Sequence, residues 1–165
     1  MNSKEMLNIS EYGGLKRAKG NSGIERIGKV IGSLNLSLPV SEFGQVFTGF
    51  YHKGKKAIEK LLEEKQGQIT GAFYRKDIGD IDLVWGKVTN AKQHKGFGLA
   101  HIVDKHPNFD VYLISKIVRY GKVEERHKGF TVKYKKYKLG IKDGYEVGGN
   151  KISKNRWIVT SFEED

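Results

Sequence analysis

The stretch GFGLAHIVDKH, Gly96 to His106, places His101, Lys105 and His106 within six residues, ahead of Pro107. Imidazole titrates near neutrality, so each ring can take or give a proton, and the ammonium can hold phosphate charge. Without a metal, such groups cleave RNA by internal transesterification. One removes the proton of the ribose 2′-OH, another protonates the departing 5′-oxygen, and a cation steadies the charge that builds between them. DNA lacks the attacking hydroxyl and would bind uncut. On a helix, His101 and Lys105 share a face with Asp104 beside them, whereas His106 falls ~140° away at ~3.6 residues per turn. Either Pro107 forces His106 out of helical geometry, or one histidine alone is functional. The competing reading is two ordinary imidazoles, packed or solvated.

Other chemistries find less support. Histidine ligand pairs on helices take spacings of three or four, this segment offers five, and the nearest acid sits next to a lysine. Neither a metal nor another cofactor is expected. With no cysteine, thiolate nucleophiles, disulfides and cysteine-bound zinc are excluded. There is no G-x-S-x-G elbow, Walker sequence or G-x-G-x-x-G turn.

A formal charge of +11 over 165 residues points to a polyanionic partner. The excess is concentrated: from Lys116 to Arg156 there are thirteen Lys and Arg against four acids. Lysines also keep a sheet soluble and protect its edges, so charge alone does not decide. The sharper signal is Tyr134 and Tyr137 interleaved with Lys133, Lys135, Lys136 and Lys138, since aromatic faces stack on unpaired bases while lysines follow phosphate. Lys151, Lys154 and Arg156 add cations. Trp85 and Trp157 sit in apolar alternation and read as core. His94 and His127 read as surface residues, with His94 close enough to the GFGLAHIVDKH segment to serve as a reserve acid or base.

These residues must be positioned by elements. Residues 1–39, rich in Gly, Ser, Asn and Lys, read as a loosely structured arm, and residues 40–165 as the folded domain. Apolar residues from Phe43 to Leu62 recur at helical spacing, with Ser41 as N-cap and Gly67 just past the end. ITGAFY and GDIDLVW alternate as strands. A short helix from Leu99 stops before Pro107, and another, capped by Asn108 or Asp110, ends at Gly121. A phase slip at Lys135 and Lys136 suggests a β-bulge, Asp143-Gly144 and Ser153-Asn155 suggest turns, and RWIVTSF is apolar on both faces and therefore central. The expected fold is α+β: N-terminal helices packed on one face of a twisted antiparallel sheet of about four to five strands, its other face carrying the cations. No apolar run spans a bilayer and no secretory signal is legible, so a cytoplasmic location, in the producing or a target cell, is expected.

GDIDLVWG, GFGLAHIVDKH and the closing NRWIVTSFE together resemble the phage-associated nucleases of the barnase, EndoU, colicin and RelE-like superfamily, over roughly Phe43 to Glu163. The resemblance implies a metal-independent endoribonuclease domain of phage or toxin proteins; RNA, tRNA among the candidates, is the expected substrate, and a toxic activity of this kind would call for a cognate inhibitor protein. It places the family's two histidines on His101 and His106, and a last-strand hydroxyl on Thr160 or Ser161, which face opposite ways; Thr160 is favoured. Lys105 is the cation nearest the histidines. The rival expectations are a non-catalytic nucleic-acid-binding module and a phage structural component.

Overall fold

The computed structural model describes residues 38–165, so nearly all of the expected arm lies outside the described residues. After a 3-10 turn at Ser41–Phe43 come helix α1 (Gly54–Glu64), strands β1 (Gln68–Arg75), β2 (Gly79–Val84), β3 (Lys87–Asn90) and β4 (Lys95–Phe97), helices α2 (Gly98–Lys105) and α3 (Leu113–Tyr120), and strands β5 (Lys122–Arg126), β6 (Gly129–Tyr134), β7 (Tyr137–Val147) and β8 (Asn150–Glu163).

The class is α+β, but the expected arrangement needs correction. Six strands form the main sheet in the order β1-β2-β8-β7-β6-β5, and β3 and β4 make a separate ribbon. The sheet is mixed, because β8 runs parallel to β2 and antiparallel to β7. Only α1 precedes the strands; α2 and α3 lie between β4 and β5. The helix expected from Phe43 is confined to Gly54–Glu64. Its intended first half is claimed by the sheet instead: Phe47 N–H donates to Gln68 O, Gln68 N–H donates to Gln45 O, and Val46 bridges Gln68. Backbone groups that pair across chains cannot also pair along a helix.

One core joins all three helices to the sheet. Ile58 and Leu61 of α1, Leu99 and Ile102 of α2, and Ile114 and Ile117 of α3 are fully buried with Ile81, Leu83, Leu139 and Ile158. Each such side chain contributes roughly 1.5–3 kcal/mol of burial. A smaller cluster of Val40, Phe43, Val84 and Trp157 packs with Phe97 and Tyr145, so Trp157 and Ile158 bury opposite faces of β8. This is the behaviour expected of a central strand.

The join between β2 and β8 carries a polar network. Asp82, opposite Trp157 in the register, accepts from Asn155 Nδ2 at 2.6 Å and from Gly71 N–H at 2.8 Å. Ser153 Oγ donates to Asn155 Oδ1 at 2.7 Å. Burial pushes the Asp82 carboxyl up to about 6, against the opposing pull of these donors.

Candidate functional site

Helix α2 is seated by close backbone approaches. Gly98 has φ +79°, and a Cβ there would lie 2.6 Å from Trp85 O; at Gly86 a Cβ would lie 2.0 Å from Phe97 O. Side chains at either position would push the helix off the end of β2. Ala100 N–H donates to Trp85 O at 2.8 Å, fixing the first turn. With Leu99 and Ile102 in the core, the other flank of α2 is turned toward β8.

His106 caps α2 with φ −126° and ψ 63°, outside helical geometry. The clash that proline imposes on its predecessor accounts for this. Released from the helix, the His106 ring reaches His101: their centroids are 6.2 Å apart and nearly perpendicular. The spacing problem is thereby resolved in favour of both rings meeting. His106 also stacks on Phe162 of β8 at 5.1 Å. Thr160, two residues earlier on the same strand, shares the Phe162 face, while Ser161 points the other way, fully buried, donating to Lys138 O at 2.7 Å. Thr160 is paired across the sheet with Gly140, where no side chain stands over it.

His101 Nδ1 and Thr160 Oγ1 are buried without a hydrogen-bond partner, and Gln68 Oε1 is the remaining such side-chain atom among the described residues. Buried polar atoms are normally paired, so two orphans contributed by the facing elements α2 and β8 mark this corner. His101 is 7% exposed and so nearly enclosed, whereas His106 is half-buried and Lys105 exposed. Burial, then the charge of Lys105, lowers the pKa of both imidazoles below the usual value. The shift favours the neutral, proton-accepting form of each ring. His94 joins from the β3–β4 ribbon, its Nδ1 3.2 Å from Asp104 Oδ2.

The expected cations divide. Pairing of β5, β6, β7 and β8 places Lys122, Lys133, Lys138 and Phe162 in one row, on the sheet face opposite the one that carries Val132, Leu139 and Ser161. Adjacent strands are ~4.8 Å apart, so this lysine row runs directly up to the ring that His106 stacks on. Lys122 was not singled out from sequence, because register between strands is invisible along one chain. Lys138 is held by Glu164 at 2.5 Å and Lys136 by Glu163 at 3.0 Å. Lys135 lies over the Tyr134 ring at 5.3 Å. Lys151 and Lys154 are exposed near the opposite end of β8, about 20–35 Å from Phe162 by strand rise, and are not brought to the corner. Arg156 is spent on Asp143 and on Ile78 O. Among the described residues no group of three or more His, Cys, Asp or Glu is arranged to hold a metal ion.

The molecule is therefore a mixed α+β protein with a histidine corner at the end of its central strand and lysines leading to it. A family model described as phage-Barnase-EndoU-ColicinE5/D-RelE like nuclease 1 matches residues 72–165, and the chain belongs to this nuclease family. The match begins inside β1 and takes in the whole corner, but leaves out α1 and the segment from Phe43 that the sequence resemblance had included. No curated protein and no solved structure matches the chain.

Proposed function

We propose that this nuclease is a metal-independent endoribonuclease that uses the ribose 2′-OH as its nucleophile and leaves 2′,3′-cyclic phosphate ends. The observation that carries the reading is the meeting of His101, His106 and Phe162, with orphaned Nδ1 and Oγ1 atoms at His101 and Thr160. In the bond-making step the 2′-oxygen attacks phosphorus, its proton passing to one neutral imidazole. The other, protonated, gives its proton to the 5′-oxygen as the P–O bond breaks. His101 is base or acid and His106 its partner. Lys105, with Lys133 from the middle of the lysine row, offsets the charge on the phosphoryl oxygens, and Thr160 orients the reacting group. His94 stands in reserve, tied to Asp104.

RNA, with tRNA as one candidate, is the substrate in this reading. Activity belongs in the cytoplasm of the producing or a target cell, and a toxic nuclease calls for an inhibitor protein that covers the basic face. Total RNA incubated with the purified protein in EDTA should be cut to cyclic-phosphate ends, and DNA of the same sequence should be left whole. His101→Ala should lose most of the rate; full activity in that variant removes the central assignment. The enclosure of His101 favours one rival, a nucleic-acid-binding module without turnover, which requires salt-dependent binding and no new ends.

A further inference from the structure

A second feature lies along the β1 edge of the sheet, away from the histidine corner. A cavity of about 900 Å³ opens between β1, the start of α1 and the end of α3. That volume is in the range of small-ligand sites. Its aromatic wall is pre-arranged. Asp80 accepts from Tyr51 OH at 2.8 Å and bonds His52 Nε2 at 2.8 Å. The Tyr51 and His52 rings stack at 3.8 Å, and His52 lies 5.2 Å from Tyr74, whose ring is 51% exposed. His52 holds φ +59°, a conformation costly for a residue with a side chain, which here turns its N–H to Gly71 O at 2.8 Å.

The cavity's charge is positive. Arg75 is committed to Val118 O, Gly121 O and Asp77, so it fixes the floor and neutralises that carboxylate. Lys76 and Arg119, both exposed, pair with no carboxylate among the described residues. Exposed aromatic rings beside exposed cations suit a ligand with a flat base and a phosphodiester. Rings and cations continue from the cavity toward the β6–β7 turn: Arg119 lies 5.4 Å over Tyr120, Tyr120 is 6.0 Å from Tyr134, and Lys135 lies 5.3 Å over Tyr134. Tyr134 pairs with Tyr137, itself opposite Glu163, the neighbour of Phe162.

We infer that this cavity is a second RNA-binding site, which takes an unpaired nucleotide of the substrate strand at a distance from the scissile bond. The base stacks on Tyr74 and His52, and Lys76 and Arg119 hold its phosphates. The inference rests on RNA being the substrate, and its test separates the two. The probe is a 2′-O-methyl RNA roughly a dozen nucleotides long, which binds but has no attacking hydroxyl. Tyr74→Ser should weaken its binding at least about fivefold, the effect of losing a base stack of ~1 kcal/mol. Arg119→Ala should reduce the salt slope by about one. Cleavage of a dinucleotide, too short to reach the cavity, should be unchanged in both variants. Unchanged oligonucleotide binding, or a matching loss of dinucleotide cleavage, overturns the inference. Absence of any binding overturns it as well. Binding that depends on Tyr74 in a protein that cuts no RNA sinks the cleavage reading and leaves this site standing. Both replaced side chains are exposed, so circular dichroism should match the parent.

Discussion

Strand β8 carries two buried polar sites treated in opposite ways. In its first half, Ser153 and Asn155 join Asp82 and Gly71 in a network in which each named donor and acceptor has a partner. In its second half, Thr160 Oγ1 faces an element that contributes an equally unpartnered His101 Nδ1. A complete network stabilises one arrangement, whereas an incomplete one costs stability and leaves hydrogen-bonding capacity for another molecule. The contrast separates scaffold from candidate site within a single strand.

The largest way to break the contrast is at the histidines. His106→Ala should lower RNA cleavage by about 10²–10⁴, as expected for one acid–base group, with little change in unfolding free energy. A large stability loss with activity retained would reverse the assignment. At the other end, Asn155→Ala should leave Asp82 short of a donor and cost about 1–3 kcal/mol in denaturant melts, while the folded fraction cleaves normally.

The pH dependence should have opposite signs at the two ends. The folded-state pKa of Asp82 is raised from 3.8 to about 6, so its contribution to stability is greatest below about 4 and is lost as pH rises through about 6. The shift corresponds to about 3 kcal/mol. His101 and His106 are depressed, so their contribution is present above the ordinary histidine value of ~6.5 and is lost as pH falls through their folded values. Urea melts across this range should therefore rise more steeply with pH in Asp82→Asn, relative to its own value at low pH, and less steeply in His101→Ala. Equal slopes in all three proteins would contradict both environments.

The smallest effects should come from two adjacent hydroxyls. Ser161→Ala removes a bond to Lys138 O and should cost about 1 kcal/mol. Thr160→Val keeps the shape, removes an unsatisfied oxygen, and should leave stability equal or slightly higher while slowing cleavage. Cleavage by Thr160→Val at the parent rate would remove that side chain from the reaction.

Legibility followed the range of the interactions involved. The α2 segment was readable because Gly98, the apolar spacing and Pro107 all act within a few residues, and β8 because both of its faces are apolar. The meander was misread in a specific way. The phase slip at Lys135 and Lys136 is a two-residue turn, with Tyr134 paired to Tyr137 and Lys135 at φ +54°. Asp143-Gly144, a typical turn dipeptide, instead marks an irregularity inside β7, with Gly144 at φ +98°, and Ser153 to Asn155 lies inside β8. A left-handed residue serves a turn or a bulge equally well, and only the partner strand decides which. The same limit hid the lysine row, the insertion of β8 beside β2, and the cavity at Tyr74, all of which depend on pairing between distant segments.

The position of β8 has a further consequence. The hairpin of β1 and β2 and the meander of β5, β6 and β7 are joined into one sheet only through it. A chain stopped at Gly149 would hold two half-sheets with bare edges and neither Thr160 nor Phe162. Supplied separately, a peptide spanning residues 150–165 would fill the gap as a donated strand, so the enzyme lends itself to division into two inert pieces that regain activity on mixing.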